Sequence, residues 1–299
     1  MKDTIVTAIY YSPTTTRMGG RGYTFEFYQA PFRNIINLDC NIVVYSHESE
    51  IHKIETFFSS YNFTDYKIIN YDPNSYLHSD KIYSLKEQEG IIDENGLIEG
   101  QPYFRNDRNH HICLSKLPFL KDTIESQYFK SKNYYWIDAG LFHHGIFPEA
   151  FGGIERLTRV KEENYWPIHE KNVCTPEMVK KLQLKSGTDL VFIGMEQFPR
   201  LIDWTPFTDK LKDKHIVGGF FGGKKAAVLQ LAKDFDQLIG TLMADNVLTL
   251  EEEVLSILFA EKYNKYGCIS FLSWYHDVPE SPNYYGAPFS DQCFYKIFI

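Results

Sequence analysis

The sequence predicts an α/β fold: a mainly parallel sheet flanked by helices and built as a single domain. Short β-branched apolar runs alternate with helically spaced stretches, the pattern of parallel strands joined by crossover helices. The 299 residues, 43% hydrophobic and 23% charged, suffice for one sizeable core, and no repeat, linker or low-complexity tract divides residues 1–299.

The elements follow in order. "DTIVTAIYY" (Asp3 to Tyr11) reads as a buried first strand stopped at Ser12-Pro13. "RGYTFEFYQAPFRNIINLD" has helical spacing, "CNIVVYSHES" is a second strand, "IHKIETFFSSY" a helix and "YKIINYD" a third strand. "NHHICLSKLPFLKDTIESQYF" reads as a helix in which Pro118 weakens the middle or marks a boundary. "YYWIDAG" (Tyr134 to Gly140) is the fourth strand. From Phe151 to about Asp213 the pattern loosens into short elements. "DKHIVGGFFGG" is then a strand, "KKAAVLQLAKDFDQLIGTLM" and "TLEEEVLSILFAEKYNK" are helices, and "GCISFLSWY" holds a last strand.

Composition narrows the function. A net charge of −8 and a pI near 5.7 argue against general nucleic-acid binding, which needs a basic face. Cys40, Cys113, Cys174, Cys268 and Cys293 form neither a CxxC pair nor a disulfide framework, as expected in a reducing compartment. No apolar run approaches the roughly 18 residues of a membrane span, and the first residues lack a secretory signal pattern. The expectation is a cytoplasmic protein that meets a membrane, if at all, at its surface. Aromatics make up 16% of the chain. That suits saccharide contacts, and it also suits an AT-rich genome.

Ligands of open parallel sheets gather beyond the carboxyl ends of strands. Tyr10 and Tyr11, Ser46 and His47, and Asp138 occupy such ends. Asp138 closes an apolar run, and a buried carboxylate needs a donor, a cation or solvent. A hard cation or a ribose hydroxyl would satisfy it; a turn cap in "DAG" would also explain it. "GGFFGGKK" (Gly218 to Lys225) fits GxxxxGK, but Lys225 stands where a P-loop needs Ser or Thr. Its glycines also suit a loop that lets a flat ligand approach. In "TLEEEV", Thr249 and Glu252 have capping-box spacing, and an acidic helix start could equally offer a catalytic carboxylate. His276, after the last strand, is a candidate metal ligand, and at most one of His143 and His144 would face the same site.

"TIVTAIYY", "HHICLSKLPFL", "YYWIDAGLFHHGIFP", "IVGGFFGGKKAAV" and "EEEVL" occur in the order found in the HtrL/YibB-like family, which the chain resembles from Thr4 to about Pro279. That family comprises GT-A-fold glycosyltransferases of bacterial surface-polysaccharide loci. More loosely, the order is similar to that of blood-group-type galactosyltransferases. The resemblance implies a GT-A-like, Rossmann-like sheet, with residues 1–140 as the nucleotide-binding half and 141–299 as the acceptor and sugar half. It implies transfer of a hexose from a nucleotide sugar, UDP-linked, to a saccharide or lipid-linked saccharide acceptor. Thr7, Ala8 and Tyr10 would line the base and ribose, and Lys116 would reach the nucleotide or its phosphates. Asp138, Ala139 and Gly140 would hold the DxD position, with Gly140 in place of the second acid. Gly219, Phe220 and Gly222 would contact donor sugar and acceptor. Glu252, or its neighbour Glu251, would face the reaction centre, and Asp138 with His276 would hold a divalent cation, Mn²⁺. The residues leave two other readings open: a P-loop-like NTP-binding phosphotransferase, and a non-catalytic saccharide-binding protein.

Overall fold

A computed structural model describes residues 2–10, 12–17, 21–23, 29, 32, 35–36, 40–72, 75–88, 90, 92–93, 96–97, 107–139, 189–195, 216–262, 269–274 and 297–298. The strands are β1 (Asp3–Ile9), β2 (Ser12–Arg17), β3 (Arg21–Tyr23), β4 (Cys40–Ser46), β5 (Tyr66–Asn70), β6 (Ile92–Asp93), β7 (Gly96–Leu97), β8 (Asn133–Ile137), β9 (Leu190–Met195), β10 (Ile216–Lys224), β11 (Ile269–Trp274) and β12 (Ile297–Phe298). The helices are α1 (Glu48–Ser60), α2 (Ser79–Gln88), α3 (Asp107–Glu125), α4 (Lys225–Ala244) and α5 (Glu251–Lys262).

One 8-stranded sheet carries the architecture, in the order β12-β11-β9-β10-β8-β1-β4-β5. β5, β4, β1 and β8 are parallel neighbours, while β10 runs antiparallel between β8 and β9. β9 and β11 are parallel to each other, and β12 pairs antiparallel to β11. The α/β fold with a mainly parallel sheet is therefore present. Its β5-β4-β1-β8 part has the strand order of a Rossmann-like half, so the order reverses between β1 and β8.

Alternation decides what each face buries. Val6, Val43, Tyr45, Tyr134, Trp136 and Phe221 belong to one core with Leu117 and Leu120 of α3, Leu231 and Phe235 of α4, and Val254 and Leu258 of α5. Phe119 stacks on Tyr45 with ring centroids 4.1 Å apart, a contact worth about 0.5–1.5 kcal/mol beyond the area it buries. Pro118 lies inside α3 and does not end it. It removes one helical N–H donor, and packing of the neighbouring Leu117, Phe119 and Leu120 holds the helix across the gap.

Several elements differ from the sequence reading. β1 ends at Ile9, before Ser12-Pro13, but a separate strand follows at once: Ser12–Arg17 pairs with Arg21–Tyr23 in a two-stranded sheet of their own. In the first expected helix only Gln29, Phe32, Ile35 and Ile36 are helical among the described residues. β9 falls in the stretch read as loosened, and α2 was not expected.

The segment "GGFFGGK" is strand β10 rather than a ligand loop. A Cβ on Gly222 would collide with the Tyr134 carbonyl of β8, and one on Gly223 with the Asp189 carbonyl beside β9. Their φ angles, 151° and 153°, also disfavour any residue with a side chain. These glycines let three strands close on one another. Gly222→Ala is therefore expected to destabilise the fold by about 1–3 kcal/mol, read as a lowered Tm in thermal denaturation.

Candidate functional site

Beyond the carboxyl end of β8, beside β10, side chains from four elements meet. Asp138 follows β8, and its backbone N–H donates to the Gly219 carbonyl of β10 at 2.8 Å. Its carboxylate accepts from Trp136 Nε1 at 2.7 Å and from Lys116 Nζ, 3.0 Å from Oδ1. The apolar run thus ends on a carboxylate because its own indole and a lysine from α3 meet it there. The Asp138 side chain stays 39% exposed, so part of it still faces solvent.

Lys116 is nearly buried. An ammonium has three donors, and it finds acceptors in Asp138, in Glu251 Oε1 at 2.7 Å and in the Gly218 carbonyl at 3.0 Å. Burial alone would push its pKa down. Asp138 and then Glu251 outweigh that and hold the ammonium well above the usual lysine range. Because the folded value exceeds the unfolded one, this contribution to stability is whole below the ordinary lysine pKa. It fades only as pH rises through the raised value. The donors of Lys116, expected at the nucleotide, are directed in the structure to these three protein groups.

Gly218 joins the two sides. Its N–H donates to Glu252 Oε1 at 3.0 Å, and its carbonyl accepts from Lys116. A Cβ at Gly218 would lie 2.5 Å from Glu251 Oε1, so the seat of Glu251 needs this glycine. β10 is irregular here, its pairing with β9 shifting between Val217 and Phe221. Irregular pairing of this kind bends a strand and re-aims its groups.

The capping expectation shifts by one residue. α5 begins at Glu251, so Leu250 is the cap and Glu253 the third helical position. Glu253 Oε2 accepts from the Leu250 N–H at 2.8 Å and from the Thr249 hydroxyl at 2.9 Å. The capping carboxylate is Glu253 and not Glu252, which leaves Glu252 turned to Gly218. His110 Nε2 of α3 lies 2.6 Å from the Thr249 carbonyl and fixes the approach to this helix start. Neither contact was anticipated, because each depends on where α5 begins.

Other expected residues are placed as follows. Thr7 is fully buried on β1, and its hydroxyl has no hydrogen-bond partner among the described residues. Ala8 packs against the helical-side core, and Ala139 is buried. Tyr10 is buried with its hydroxyl donating to the Tyr71 carbonyl at 3.0 Å, and burial, with Tyr71 and Asp72, pushes the phenol up. Phe220 is buried and stacks on Tyr135 with centroids 5.8 Å apart. Phe220 and Gly222, expected at sugar or acceptor, take part in sheet packing in the structure. Ser46 donates to the Ile9 carbonyl, and His47 caps α1. Desolvation pushes the Cys113 thiol well up, and Glu251 adds to this, so it stays protonated at neutral pH. Gly140, His143, His144 and His276 lie outside the described residues.

Among the described residues no group of three His, Cys, Asp or Glu is placed to hold a metal ion. Asp138 alone remains of the expected cation ligands, with an ammonium 3.0 Å away that repels a second cation. The described residues by themselves do not fit a metal centre. No helix among them is long and apolar enough to cross a membrane.

No protein-family model matches the chain, and no curated protein matches it. Among solved structures, the chain is similar to a 4-diphosphocytidyl-2C-methyl-D-erythritol synthase from Anaerococcus prevotii. The identity is 9%, the TM-score 0.34, and the match covers 88% of this chain and 96% of that one. At that level the likeness says nothing of substrate or reaction.

Proposed function

We propose that the chain is a GT-A-like glycosyltransferase, akin to the HtrL/YibB-like family. On this reading it moves a hexose from a nucleotide sugar, UDP-linked, to a saccharide or lipid-linked saccharide acceptor. The observation that carries this reading is the convergence of Asp138, at the end of β8, with Glu251 and Glu252, at the start of α5, beside Gly218. Distant parts of the chain meet there, beyond the carboxyl end of β8, and open α/β sheets take ligands beyond such strand ends. In this reading Asp138 receives donor hydroxyls there. Glu252, less buried than Glu251, is the carboxylate that takes the acceptor proton.

No observation favours the phosphotransferase reading. Phe220 to Lys224 pairs with β8, Phe221 to Gly223 also with β9, and the Gly218 N–H is directed to Glu252, so this segment is not a phosphate-cradling loop. Calorimetry with UDP and with ATP, each with and without Mn²⁺, tests the proposal. UDP binding is expected and ATP binding is not. Binding of ATP alone would overturn it in favour of a phosphotransferase, and binding of neither in favour of a non-catalytic saccharide-binding protein.

A further inference from the structure

Lys116 is buried to within 5% of full burial, yet it belongs to no catalytic role in the mechanism above. It comes from the middle of α3 and binds the end of β8 through Asp138, the start of α5 through Glu251, and the irregular part of β10 through the Gly218 carbonyl. Gly218 in turn donates to Glu252. Asp138 is further held by the Trp136 indole, whose ring centroid lies 5.7 Å from Lys116 Nζ. Every described carboxylate of the site is thus one or two hydrogen bonds from this ammonium. We infer that Lys116 is a positioning residue that sets the relative placement of Asp138 and Glu252 through its simultaneous bonds to Asp138 and Gly218.

Two features separate this role from a purely stabilising ion pair. A lone buried pair would need one counter-ion, whereas Lys116 spreads its donors over three elements. The carbonyl it grips belongs to the residue that holds Glu252, so displacement of the ammonium is passed to that side chain. Lysine suits this place because three separate donors on a compact head can point in divergent directions, which a planar guanidinium cannot do.

The test compares Glu251→Gln with Lys116→Met/Glu251→Gln. Lys116→Met alone would leave Glu251 buried without its counter-ion and is expected to fold poorly; the double variant removes that charge. Going from the single to the double variant is expected to lower kcat at least 10-fold with donor KM changed less than threefold. It is also expected to move the Trp136 indole ¹⁵N–¹H resonance, assigned with Trp136→Phe, because the indole bonds the carboxylate that Lys116 holds. A double variant with kcat within threefold of the single one, or an unmoved indole resonance, would overturn the inference. The kinetic arm rests on the glycosyl-transfer reading and the spectroscopic arm does not. Wild-type protein that turns over no nucleotide sugar would defeat that reading alone, and the indole resonance would still decide the role of Lys116.

Discussion

Asp138→Asn is expected to lower transfer about 100-fold or more while shifting the Tm by only a few degrees. The substitution keeps the size and one acceptor oxygen for Trp136 Nε1 but removes the charge facing solvent. Lys116 keeps Glu251 at 2.7 Å and the Gly218 carbonyl, so the buried ammonium is not left alone. The fold therefore loses one partly exposed partner of an ion pair, for which a modest cost is typical. Turnover of a nucleotide sugar and thermal melting, measured on the same preparation, check both halves. A large loss of Tm with activity per folded molecule intact would make Asp138 a structural cap.

The second large effect is expected at Glu252. Glu252→Gln should lose roughly 10²–10⁴-fold in kcat, the contribution of a general base, with donor affinity and Tm nearly unchanged. Its side chain accepts one backbone N–H from Gly218, which an amide oxygen can also do. Glu253→Gln is the internal control. It weakens the cap made with Leu250 and Thr249 and should cost about 0.5–2 kcal/mol of stability, with little change in rate. Equal and small effects on rate from both variants would remove Glu252 from the reaction and direct attention to Glu251.

How far the sequence disclosed this arrangement depended on the range of the interactions involved. The strand at Asp3–Ile9 and the helix at Lys225–Ala244 were legible because local periodicity alone determines them. Asp138 was legible as a strand-end carboxylate for the same reason. The purpose of the glycines was not: Gly222 answers to Tyr134 of β8 and Gly223 to Asp189 just before β9. The role of Lys116 was hidden likewise, since two of its acceptors lie more than a hundred residues along the chain. The cap was misassigned because a capping box reads one residue off if the first helical residue is misplaced by one, and helix starts are the least certain part of such a reading. β9 lies in a stretch with several prolines and mixed polarity, where no period shows.

The antiparallel strand at the middle of the sheet also shapes how the chain assembles. β10 pairs with β8, yet Lys224 follows Ile137 by 87 residues. During synthesis at about 5–20 residues per second, the β8 edge stays uncovered for on the order of ten seconds after it emerges. That strand carries Tyr134 and Trp136 on one face and Tyr135 on the other, and before β10 forms its edge invites pairing with other chains. Closing the sheet needs contacts of long sequence separation, and such contacts form slowly. The nascent first half is thus the aggregation-exposed stage of this protein's life. Conditions that slow translation lengthen that exposure, while early delivery of residues 216–224 to the β8 edge ends it.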